Sequence, residues 1–188
     1  MVLPIVKIPA PILRTRAKEV TRARIKSDEI QSLIKSMRAT MPAAQGIGLA
    51  APQVGVSARI AVIAYGDDIL TVINPSIVKH SAEYQESEEG CLSIPGVQGV
   101  VNRSREIKVA ALDQEGKRIN IRASGLLACV FQHEIDHLDG ILFVDRVIKF
   151  LTPVSEKQKE AFEAYIATAQ SSFVKSQNHI SNPDKFTI

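Results

Sequence analysis

The sequence predicts an α+β fold in a single domain. An amphipathic helical pattern comes early, a block of short β-branched runs fills the middle, and helical patterns return after it. A chain of 188 residues suits one hydrophobic core better than two small ones.

Residues 1–24 read as an extended arm, because Pro4, Pro9 and Pro11 fix their own backbone angles and turn the preceding residues away from helix. Ser27 has the chemistry of a helix N-cap, with Asp28 and Glu29 in the first turn, where carboxylates suit the positive end of the helix dipole. Ile30, Leu33, Ile34, Met37 and Met41 recur at helical spacing, so the helix runs to about Met41 and is ended by Pro42 and the following GIGLAAPQVG. RIAVIAY and LTVINP, within 59–75, read as buried strands, and a glutamate-rich polar stretch follows them. Residues 107–112 and 118–123 flank Asp113-Gln114-Glu115-Gly116, a hairpin signal, with Arg118, Asn120 and Arg122 alternating against Ile119, Ile121 and Ala123. Gly125 to about Leu138 reads as a helix apolar on most sides and therefore central. Ser155 and Gln158 form a capping box opening a further helix, striped by Phe162, Tyr165, Ile166 and Ala169. The expected domain is 1–173, with a polar tail at 174–188.

Composition narrows the function classes. The net charge of +3 is spread along the chain, so it predicts a solvated surface and at most weak attraction to an anion such as RNA, without sequence-specific nucleic-acid binding. Two cysteines, Cys91 and Cys129, are too few for a disulfide framework and suit a reducing compartment. No apolar run reaches the roughly 18 residues of a membrane span. The prolines near the start also break any secretory signal, so the expected address is a cytoplasm.

The string His133-Glu134-Ile135-Asp136-His137 carries the chemistry. Helical residues four apart lie about 6 Å apart along the axis and about 40° apart around it, so two imidazoles can share one ion. Glu134 then stands beside the ion without ligating it. The pattern HExxHxxGxxH fails here, because Phe143 occupies the place of its last histidine. Glu156 and Glu160 are poor third ligands, since a capping box already accounts for acidic residues there. Cys129 is about 12 Å of helix from His137, too far to share an ion with it. Cys91 remains, between Gly90 and Pro95 in a short turn-like segment, and on chemistry alone it is equally a metal ligand or a plain buried thiol.

Three segments together, GIGLAAPQ at 46–53, EGCLS at 89–93 and QHEIDH at 132–137, resemble in order the three motifs of peptide deformylases, and the likeness covers about residues 3–150. It implies antiparallel sheets around a central HExxH helix, with helices near both ends of the chain. It also implies removal of the formyl group from N-formyl-methionyl peptides and nascent chains, releasing formate. One divalent ion, Fe(II) with Zn, Ni or Co as alternatives, would sit on Cys91, His133 and His137. Glu134 would move protons, while Gln53 and the Leu92 N–H hold the carbonyl oxygen. Gly46 and Gly48 would let backbone approach the substrate, and Ile47, Leu126, Cys129 and Val130 would line the methionine slot. The resemblance further suggests a Glu89–Arg103 ion pair behind the cysteine loop, weak contact with the ribosome, and a bacterial-type cytoplasm. An organelle is the alternative address, for a chain whose targeting segment has been removed.

Overall fold

Sheet and helix alternate around α3 (Gly125–Leu138), which touches strands of two separate antiparallel sheets. The structure is a computed structural model and describes residues 1–153 together with Ser155 and Glu160. The helix expected from Ser155 onward, the boundary at 173 and the tail at 174–188 lie outside the described residues.

The first sheet has the order β1 (Gly48–Ala50), β2 (Ile60–Tyr65), β3 (Asp68–His80), β6 (Glu106–Leu112), β7 (Arg118–Ser124). The second joins β4 (Tyr84–Cys91), β5 (Ile94–Ser104) and β8 (Val147–Phe150). β2 explains why RIAVIAY is apolar without alternation: it is covered on both faces. Ala61 and Ile63 pack with Phe131, Ile135 and Leu138 of α3. Ile60 and Val62 pack with Ile30, Ile34, Met37 and Met41 of α2 (Asp28–Ala43). Each fully buried branched side chain contributes about 1.5–3 kcal/mol.

Ser27 caps α2 as expected, its hydroxyl accepting from the Ile30 N–H at 3.3 Å. Pro42, expected to end the helix, instead sits inside its last turn, where a missing N–H forfeits one helix bond just before the chain leaves at Ala44. The N-terminal arm is not extended throughout. It makes a tight helical turn at Pro11–Arg14 and the short α1 (Arg22–Ile25), both buried through one apolar residue, Leu13 and Ile25. Proline suits the first position of such a turn, where its N–H would have no partner.

β7 keeps the expected alternation, with Arg118, Asn120 and Arg122 exposed, and pairs with β6 through the turn at residues 113–116. The glutamate-rich stretch, given no element in the sequence reading, forms β4, paired residue by residue with β5. Between them Leu92 and Ser93 form the tip of a tight hairpin, so Cys91 is held at the last position of a strand rather than on a loose loop.

Candidate metal centre

α3 carries His133, Glu134 and His137 on the side facing β1 and the β4–β5 hairpin, which brings in Cys91. One ligand atom from each of Cys91, His133 and His137 lies within 4.8 Å of the other two, and Cys91 Sγ is 3.2 Å from His137 Nε2. Ligands on one tetrahedral ion, bonded at about 2.0–2.3 Å, stand about 3.5 Å apart, so the spacing fits. His133 gives Nδ1 to Glu89 Oε2 at 2.9 Å, which leaves Nε2 for the ion, as ligating histidines usually do.

Electrostatics agree with the geometry. Burial would push the Cys91 thiol up, but the imidazoles of His137 and His133 hold it well below the usual thiol range, as a thiolate. Burial would likewise favour neutral His133, yet its bonds to Cys91 and Glu89 raise it well above the usual imidazole range. The sulfur calls for positive charge, and a divalent cation supplies it more completely than protons do. The residues fit one divalent ion, and a soft thiolate with two imidazoles suits iron, zinc, nickel or cobalt better than magnesium or calcium.

Glu134 is 3% exposed, and burial first, then the Cys91 and Glu89 charges, outweigh the two imidazoles to push its carboxyl up to about 7. Its Oε2 finds no hydrogen-bond partner among the described residues. Gly48 lies against it so closely that a Cβ there would overlap the carboxylate. Gly48→Ala is therefore expected to displace Glu134 and lower kcat, by up to about a hundredfold if the carboxylate moves by about 1 Å, with metal content unchanged by elemental analysis.

Gln53 is buried at 2%. Its Oε1 accepts the Ala50 N–H at 2.9 Å, which turns Nε2 toward Cys91 Sγ at 3.5 Å and Ser93 Oγ at 3.4 Å. Leu92 places its N–H at the hairpin tip, outside the ladder of β4 and β5. A cavity of about 620 Å³ opens beside these groups. Gly46, Ile47, Gly48, Leu126, Cys129 and Val130 all line it. Leu126, in the first turn of α3, is 70% exposed at the cavity. Cys129 is buried and accepts from Gln85 Nε2 at 3.0 Å, away from the ligand set. Phe143 is buried, with its ring stacked toward His133 at 6.3 Å, an apolar wall where another hydrolase pattern would have a ligand.

Behind the ligands lies a charged network of which the sequence suggested only one pair. Arg103 donates to Glu89 through Nε and Nη2 at 2.8 and 3.0 Å, as expected, and also to Asp136 through Nη1 at 2.6 Å. Arg146 grips the same Asp136 with a two-bond fork, at 2.8 and 2.9 Å. Asp136 was visible in the HEIDH string, but only the fold brings Arg103 and Arg146 to it. Ser93 closes the EGCLS segment, but only the fold shows that it stands beside Gln53.

Comparison with known proteins agrees with this site. A family model described as polypeptide deformylase matches residues 2–152. The peptide deformylase of Symbiobacterium thermophilum is 49% identical over 169 residues, covering 88% of this chain and 76% of the relative. That of Halothermothrix orenii is 49% identical over 150 residues, covering 79% and 95%. The crystal structure of peptide deformylase from Thermotoga maritima superposes with a TM-score of 0.75 at 40% identity, covering 78% of this chain and 98% of that one. The actinonin-bound class I type b enzyme of Acinetobacter baumannii gives 0.75 at 39% identity, covering 78% and 99%. With its Cys-His-His cluster, its two sheets around the HExxH helix and these matches, the chain belongs to the polypeptide deformylase family.

Proposed function

We propose that Glu134, Gln53 and the Leu92 N–H carry out the hydrolysis, and that Gly46, Ile47, Gly48, Leu126, Cys129 and Val130 receive the formyl-methionyl end of the substrate. The reaction itself follows from the family: the chain is a metal-dependent amide hydrolase that removes N-formyl groups from peptides. The observation that carries the residue assignment is the Glu134 carboxyl, buried beside the Cys91, His133 and His137 cluster, with Oε2 unpartnered among the described residues and a pKa pushed up to about 7.

Cys91, His133 and His137 would hold the ion, and the chemistry it supplies when bound is Lewis acidity, which acidifies water and polarises a carbonyl oxygen. Glu134 takes one proton from the attacking water and later delivers it to the leaving nitrogen. The formyl C–N bond breaks, and formate and a free amino terminus result. A base whose pKa lies near the working pH serves both transfers. Gln53 Nε2, already turned inward by the Ala50 N–H, donates to the carbonyl oxygen together with the Leu92 N–H. Such donors are in place before charge develops, and losing one costs about 10²–10³ in rate. Gln53→Ala is thus expected to lose that much in kcat while retaining its metal, measured by formate release and metal analysis on one sample.

The apolar lining would gain about 1.5–3 kcal/mol from burying the methionine side chain. β1 supports an extended substrate, because among the described residues it is an edge strand paired with β2, and Gly46, Ile47 and Gly48 line the cavity. The Ala64 N–H bonds Ile47 O at 2.9 Å, so by strand alternation Gly48 turns its polar backbone groups to that edge. We place the work in a bacterial-type cytoplasm, with Fe(II) as the native ion and weak ribosome contact through the small basic excess. The relatives named above are bacterial, and no helix among the described residues is long and apolar enough to cross a membrane. The test is anaerobic purification, metal analysis and parallel assays on formyl-methionyl and internally cleavable peptides. Formate release without internal cleavage is the expected result. Internal cleavage without formate release would overturn the reading.

A further inference from the structure

We infer that Arg146 is a positioning residue for the metal centre, acting on the His133 imidazole through Asp136, Arg103 and Glu89. The inference rests on His133 being a metal ligand, as proposed above.

The connection is continuous and made of charge-assisted bonds. Arg146 Nε and Nη2 meet the two oxygens of Asp136 at 2.8 and 2.9 Å. Arg103 Nη1 meets Asp136 Oδ2 at 2.6 Å, and its Nε and Nη2 meet the two oxygens of Glu89 at 2.8 and 3.0 Å. Glu89 Oε2 meets His133 Nδ1 at 2.9 Å. Arg103 is 3% exposed and stands between two carboxylates that compete for one guanidinium. Arg146 settles the competition. By satisfying Asp136 with its own fork, it frees the paired donors of Arg103 for Glu89, and Glu89 in turn fixes which way the His133 ring faces. Two cations then balance two carboxylates. Arg146 lies in the tight turn between α3 and β8, so that turn is tied to the geometry of the metal ligand.

Electrostatics and geometry predict opposite signs for its removal. Deleting a cation near a divalent ion would by charge alone slow the ion's release. Losing the ring's support would speed it, and outer partners of ligating histidines typically matter 10–100-fold in metal affinity. The test loads wild type, R146A and R146K with cobalt(II) and follows its loss to a chelator, with the visible cobalt spectrum recorded beforehand. We expect about tenfold faster release from R146A and an altered spectrum. R146K keeps the charge but not the planar fork, and is expected to fall between. In an E89Q background, R146A should add nothing, because the path to His133 is already cut. Release from R146A at or below the wild-type rate, or an equal effect of R146A in the E89Q background, would overturn the inference. A wild-type protein that took up no cobalt would overturn the metal reading as well. Arg146 is 44% exposed, and melting of the metal-free variants checks that each is folded.

Discussion

Glutamine in place of Glu134 is expected to leave a folded, metal-binding protein whose kcat is lower by about 10²–10⁴, the usual worth of a positioned general acid–base. Glutamine has nearly the same shape and cannot accept the proton, so the loss isolates proton transfer from packing. The same substitution is expected to stabilise the metal-free protein at alkaline pH. Burial raises the Glu134 carboxyl from the ordinary 4.5 to about 7. A raised folded pKa means that its stabilising contribution is complete below about 4.5 and is lost as pH rises through 7, where the charge must be carried in a buried site. Turnover falling while the urea midpoint at about pH 8 rises would be the paired signature. Near-normal turnover would remove Glu134 from the chemistry.

Methionine in place of Arg103 is expected to cost about 3–5 kcal/mol, the cost of breaking a buried ion pair by removing one partner. Asp136 keeps Arg146, but Glu89, with a side chain 7% exposed, keeps only His133. The wild-type protein should show this pair in its acid response. Burial alone would raise the Glu89 carboxyl; bonds from His133 and Arg103 instead hold it at about 2. The sign is therefore the opposite of that for Glu134. Its contribution is fully present above about 4.5, the ordinary value, and is lost as pH falls toward 2. Urea unfolding at neutral pH and at about pH 3 should show a large gap between wild type and R103M at the first and a smaller one at the second. An equal gap at both would mean that Glu89 is not held by Arg103.

What was legible in the sequence was whatever left a period or a spacing. The Ser27 cap, the apolar stripe of α2, the alternation of β7 and the i, i+4 histidines of α3 are local signals, and each was found where expected. β4 left none. Its inward positions, Ser87 and Glu89, are polar, because what they face is Arg103, His133 and the site rather than a core. Alternation of apolar and polar residues is the sign of a strand, and a strand whose buried face carries charge does not display it. The role of Cys91 was undecided on its own residues for a related reason: the hairpin that aims its sulfur is formed with β5, and pairing across a hairpin is not written in either strand alone. Leu126 is 70% exposed although Ala128, Cys129 and Phe131 of the same helix are buried, since the first turn of a helix can stand clear of what the rest packs against.

β1 is three residues long, and its shortness bears on what the molecule avoids. Exposed ladder groups that accept an incoming chain would equally template self-association between copies, the usual hazard of unpaired strands. Three residues offer too few bonds to hold two folded proteins together without further contact. In the substrate placement proposed above, a small flexible guest would gain from the same bonds and add a side chain seated in the cavity. Lengthening this segment by a few β-formers would be expected to trade turnover for aggregation.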